Sequence, residues 1–199
     1  SDENWVRRRV EVAPEPRHAA GAAFDGRRGV VVLFGGYDGH SVRSDTWEYD
    51  GESWREVAAS QTPESRGFCS MSFDRTREVT VLFGGGGGGA EADTTWEYDG
   101  VGWEERSIAV APESRMDAAM GYDVRASQIV VFGGSSIEGA LGDFWGYDGS
   151  AWSEIASPGG PVARGRISMV YDARRQRLVL FGGHAESGVL GDTWEYATP

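Results

Sequence analysis

The chain has 199 residues, 40% of them hydrophobic, enough for one core of respectable size. A formal net charge of −12 argues against nucleic acid and anionic membrane as partners, and no apolar run approaches the ~18 residues that span a bilayer. Every basic side chain is arginine, which removes Walker-lysine and Schiff-base chemistry and fits a high-GC bacterial source, and the single cysteine, Cys69, excludes an internal disulfide.

In chain order, Trp5 to Arg9 opens with a tryptophan and reads as a strand over residues 4–9. Pro14-x-x-Arg17 follows, then an apolar stretch ending in Phe24-Asp25, expected as strand a over 17–24. Val30 to Phe34 closes in Gly35-Gly36 and is expected as strand b over 29–35. A glycine-rich loop leads to Thr46-Trp47-Glu48-Tyr49, strand c over 45–50, in which alternate side chains face opposite sides. Asp50-Gly51 signals a tight turn, and Trp54 opens strand d over 53–58.

The same series then returns. The strand-b phenylalanines stand at 34, 83, 132 and 181, a constant step of 49 residues. All eight tryptophans occupy two registers, 5, 54, 103, 152 and 47, 96, 145, 194. A fixed period of this size is the signature of a repeat architecture. The units run over about 14–59, 63–108, 112–157 and 161–199, with strands a to d offset by 49, 98 and 147. Units that share their buried faces form one domain, 1–199. The fourth unit ends before its strand d. Residues 4–9 carry the matching register, so the N-terminus is expected to complete it and close a ring, which removes an exposed sheet edge.

Phe-Gly-Gly after strand b, Trp-x-Tyr in strand c and the strand-d tryptophan resemble kelch repeats across the whole chain. The resemblance implies an all-β fold: a β-propeller of four antiparallel blades, each of four strands. Kelch rings generally have six or seven blades. The small residues at Gly21, Ser70, Ala119 and Ser168 of strand a suit a narrow four-bladed ring. A monomer is therefore favoured, with an eight-bladed ring of two chains as the alternative. The resemblance implies no single activity, because the fold hosts many binding roles and a few enzymes.

Residues common to all units belong first to the frame. Asp25, Asp74, Asp123 and Asp172 sit where a strand turns back, and Asp50, Asp99 and Asp148 serve hairpins. Gly84 to Gly89 matches G-x-G-x-x-G by composition alone. A strand follows it rather than a helix, so it is not a dinucleotide motif. Cys69 packs as a small apolar side chain.

The longer b–c and d–a connections emerge on one face, where function concentrates. Arg17, Arg66, Arg115 and Arg164 begin strand a on that face. Two readings stand: they tie loops together with Asp45, Asp143 and Asp192, or they ring the channel mouth and hold a small anion. At this register the kelch resemblance implies contact with peptide ligands. His18, His40 and His184 break the repeat on the same face and form a candidate transition-metal set. No catalytic constellation and no cofactor motif is present in the sequence. The expected function is a non-enzymatic scaffold binding a protein, peptide or glycan. The alternatives are a metal- or anion-dependent enzyme on the same face and a purely structural module.

Overall fold

The computed structural model describes residues 5–87 and 92–197. The chain is all-β, with no helix among these residues, and its antiparallel sheets are arranged as a four-bladed β-propeller. Blade 1 comprises β1 (Gly21–Asp25), β2 (Val30–Phe34), β3 (Thr46–Tyr49) and β4 (Trp54–Val57). Blade 2 comprises β5 (Ser70–Asp74), β6 (Val79–Phe83), β7 (Thr95–Tyr98) and β8 (Trp103–Arg106). Blade 3 comprises β9 (Ala119–Asp123), β10 (Gln128–Ser136), β11 (Gly139–Tyr147) and β12 (Trp152–Glu154). Blade 4 has β13 (Ser168–Asp172), β14 (Arg177–Phe181), a small hairpin of β15 (His184–Ala185) and β16 (Gly188–Val189), and β17 (Thr193–Tyr196). In blades 1 to 3 neighbours in sequence pair as neighbours in space, and in blade 4 β14 pairs with β17 past the separate β15–β16 hairpin.

Strand a starts later than residue 17 and its equivalents. Ala19, Phe68, Asp117 and Arg166, again 49 residues apart, hold φ values of 57°, 58°, 57° and 55°. Left-handed backbone at a residue with a Cβ costs energy and breaks strand continuity. What holds it is a ladder around the axis: Phe68 N–H donates to Ala19 O at 2.8 Å, Asp117 to Phe68 O at 3.0 Å, and Arg166 to Asp117 O at 2.9 Å.

The Phe-Gly-Gly motif is the second connector. Gly35 and Gly36 have φ of 65° and 94°, and Gly36 N–H donates to Arg66 O of the next blade at 2.9 Å. A Cβ on Gly35 would lie 2.3 Å from that same Arg66 carbonyl oxygen, so the close approach requires glycine. Gly85 to Arg115 O, at 2.8 Å, and Gly134 to Arg164 O, at 2.9 Å, repeat the contact. The b–c connections are less uniform than a loop reading implies. In blade 3 the strands run on through a bulge between Phe132 and Gly134 into a long hairpin, and in blade 4 the connection forms β15–β16.

The core lies in the seams between blades. Val32, Phe34, Met71, Leu82, Tyr98 and Trp103 pack between blades 1 and 2; Val81, Phe83, Tyr122, Ile129, Tyr147 and Trp152 between blades 2 and 3. Each seam is locked by polar pairs. Trp103 Nε1 donates to Thr46 Oγ1 at 2.8 Å, and Tyr98 OH to Glu48 at 2.8 Å. Trp152 with Thr95, at 2.9 Å, and Tyr147 with Glu97, at 2.8 Å, repeat the pattern one blade on. Phe144 and Gly146 stand where Thr and Glu would be in blade 3. The seam between blades 3 and 4 is correspondingly apolar, with Phe144 edge-on to Tyr196 at 4.6 Å.

The expected N-terminal closing strand does not form. Residue 4 lies outside the described residues. Residues 5–9 carry no strand, and Trp5 is fully exposed. Blade 4 therefore has three long strands rather than four. A tryptophan register alone does not dock a strand; it needs a neighbouring edge within reach and a slot for the ring. The sides of blades 1 and 4 that such a closure would cover are open. Phe181 is 56% exposed, whereas its equivalent Phe34 is 0% exposed.

Candidate functional site

Each strand-a arginine is built into its own blade. Arg115 shows the pattern: Nε donates to Glu113 O at 2.9 Å, Nη1 to Gly133 O at 2.9 Å, and Nη1 and Nη2 grip both oxygens of Asp143 at 2.7 Å. Trp145 Nε1 donates to the same Asp143 Oδ2 at 2.6 Å. Arg17 with Asp45 and Trp47, and Arg164 with Asp192 and Trp194, repeat this clamp. The sequence supplies it simply: strand b ends in a glycine whose carbonyl is free, and strand c begins after an aspartate two residues before its tryptophan. Both acceptors meet the planar five-donor fork of arginine.

The tie between loops is the geometry that Arg17, Arg115 and Arg164 take. The guanidiniums are engaged within their blades, and three of the four meet carboxylates that neutralise them. Glu15, Glu64 and Glu113 offer the arginine Nε a backbone carbonyl rather than a carboxylate oxygen, as does Val162. The axial depression is instead a cavity of about 200 Å³ lined by Ala19, Phe68, Cys69, Asp117, Arg166 and neighbours. Arg166 approaches Asp117 there at 3.6 Å, and burial pushes the Asp117 carboxyl up. Burial likewise raises the Cys69 thiol to about 11, which keeps it protonated and inert at neutral pH.

Blade 2 breaks the clamp. Thr94 takes the aspartate position. Arg66 keeps Glu64 O at 3.2 Å and Gly84 O at 3.2 Å, and Thr94 Oγ1 accepts from Nη1 at 2.9 Å. Its Nη2 meets no carboxylate among the described residues, and Trp96 Nε1 is buried without an acceptor. Arg66 is only 4% exposed, and burial pulls its pKa down. It lines a polar cavity of about 440 Å³ with Ser44, Thr62, Glu64, Ser65, Gly86 and Ala92, on the face of the b–c and d–a connections.

The three histidines do not assemble. His18 is exposed and edge-on to Tyr37 at 5.4 Å; His40 lies exposed in the blade 1 loop; His184 is in β15 of blade 4. Among the described residues no three His, Cys, Asp or Glu side chains come together as a metal requires. Sequence reasoning also missed Glu48 and Glu97. Their signal was present, since Glu alternates with the Trp and Tyr of strand c, but what it faces depends on the neighbouring blade.

The clamps carry a pH signature. Burial tends to raise the Asp45 and Asp143 carboxyls, and the arginine hydrogen bonds and charge overcome it and hold both below the ordinary carboxylate value. Arg164's hydrogen bond holds Asp192 well below it. A depressed folded pKa stabilises fully above the unfolded value of about 3.9, and that stabilisation is lost as pH falls through the folded values. Urea titrations are expected to show stability that falls steeply below about pH 4, with a shallower fall in Asp143→Asn. An unchanged slope in that variant would exclude the clamp as a source of acid sensitivity.

Compared with known proteins, the chain matches no family model and no curated protein.

Proposed function

We propose that the protein is a kelch-type propeller acting as a non-enzymatic binding scaffold, and that the ligand is a protein, peptide or glycan held on the face of the b–c and d–a connections. The observation that carries this reading is the polar cavity at Arg66. It opens on that face, between blades 1 and 2, and is lined by both kinds of connection. The opposite face is made of short turns that repeat from blade to blade, each with an aspartate capping its own backbone: Asp25 and Asp50, Asp74 and Asp99, Asp123 and Asp148. A repeating frame with variation gathered at one face is how a rigid scaffold presents a recognition surface.

The test is selection of peptides from a displayed library against the whole chain, then measurement of binding to Ala92→Trp, which fills the cavity rim. Selected peptides should lose affinity at least tenfold for that variant and keep it for Ser150→Trp on the opposite face. Failure to select any binder, or binders indifferent to Ala92→Trp, would contradict the reading.

A further inference from the structure

We infer that Arg66 and Trp96 of blade 2 form a carboxylate-binding site, and that the ligand of the proposed face supplies the acid. This rests on the binding-scaffold reading and names its ligand chemistry. In blades 1, 3 and 4, one aspartate oxygen receives both the arginine Nη2 and the tryptophan Nε1: Oδ2 of Asp45 at 2.9 and 2.7 Å, Oδ2 of Asp143 at 2.7 and 2.6 Å, Oδ2 of Asp192 at 2.9 and 2.7 Å. Thr94 is one carboxylate shorter, so in blade 2 the same two donors lose their common acceptor. Trp96 is 9% exposed with its Nε1 unpaired, and Arg66 borders a cavity that the ligand can enter.

A buried guanidinium and a buried indole N–H both gain from an anionic acceptor, and a planar carboxylate fits the arginine fork. The three complete blades display the geometry it would adopt. The acid can come from an aspartate or glutamate side chain of a peptide or from a small free carboxylate.

The experiment follows the Trp96 indole N–H resonance of the intact protein during titration with sodium acetate and with an end-blocked Ala-Asp-Ala peptide. An Ala-Asn-Ala peptide and sodium chloride serve as controls. The site predicts a saturable Trp96 shift with both carboxylates, at least tenfold weaker with the asparagine peptide, and abolished in Thr94→Asp, whose own carboxylate fills the position. Tighter binding of the peptide than of acetate would assign the acid to a macromolecular partner; the reverse would assign it to a free small acid. A Trp96 signal that does not move, or moves equally in Thr94→Asp or with chloride, overturns the proposal. Peptides selected on the face without any acidic residue would overturn this inference while leaving the binding face intact.

Discussion

Trp103→Ala is expected to destabilise the protein by about 3–5 kcal/mol, the cost of truncating a fully packed large aromatic. Trp103 is the hinge of the first seam. It lies against Phe34, with ring centroids 5.4 Å apart, and against Tyr98, at 5.1 Å, and its indole donates to Thr46. Truncation removes the packing of two blades and leaves a buried hydroxyl without its donor. Trp103→Phe separates the two parts. It keeps most of the apolar contact, so its loss is the smaller cost of about 1–3 kcal/mol for an unsatisfied buried group. Denaturant titration reads both. Equal losses would mean the hydrogen bond dominates, and a loss below about 1 kcal/mol for Trp103→Ala would contradict a core built from seams.

Asp143→Ala is expected to cost a similar amount, about 3–5 kcal/mol, by a different route: it leaves a charge in the interior with no counter-charge. The Arg115 side chain is 0% exposed, and two of its donors, with the Trp145 indole, would lose one acceptor group. Asp143→Thr, which copies the natural residue of blade 2, should cost less, because Thr94 shows that a hydroxyl still accepts from the arginine Nη1. Blade 2 also shows why the loss is tolerated there. Its arginine lines a polar cavity of about 440 Å³, whereas the Arg115 side chain is 0% exposed. A loss under about 1 kcal/mol for Asp143→Ala would show that the surface edge of the clamp screens it.

Much of the fold was legible in the chain because a repeat states each decision several times. The 49-residue step, the strand order and the two tryptophan registers are consequences of one blade plan copied down the sequence. Four things were not legible. The start of strand a depends on a backbone ladder around the axis, which forces Ala19, Phe68, Asp117 and Arg166 into left-handed geometry without any shared side-chain chemistry. The direction of the arginines depends on two acceptors, Gly35 O and Asp45 in blade 1, that sit 18 and 28 residues away. The N-terminal tryptophan kept its register but not its strand, since register says nothing of distance. The candidate site was half visible: Asp45, Asp143 and Asp192 were evident as partners, and the meaning of Thr94 emerged only when Trp96 was found to have lost the same oxygen as Arg66.

Three blades are built around an Arg–Asp–Trp clamp, and blade 2 keeps the arginine and the tryptophan but has Thr94 in place of the acid. Restoring it by Thr94→Asp is the most direct measurement. With the carboxylate in place, Arg66 and Trp96 gain the partner their equivalents have, so the urea midpoint should rise by the equivalent of about 1.5–3 kcal/mol at neutral pH, the range for hydrogen bonds to a charged group. The gain should be complete above about pH 4, the ordinary aspartate value, and should be lost as pH falls from there through the depressed folded value of the new carboxylate. A midpoint that stays put or falls at neutral pH would mean that the two donors do not converge on a carboxylate position, and the clamp would not be the unit from which the blades are made.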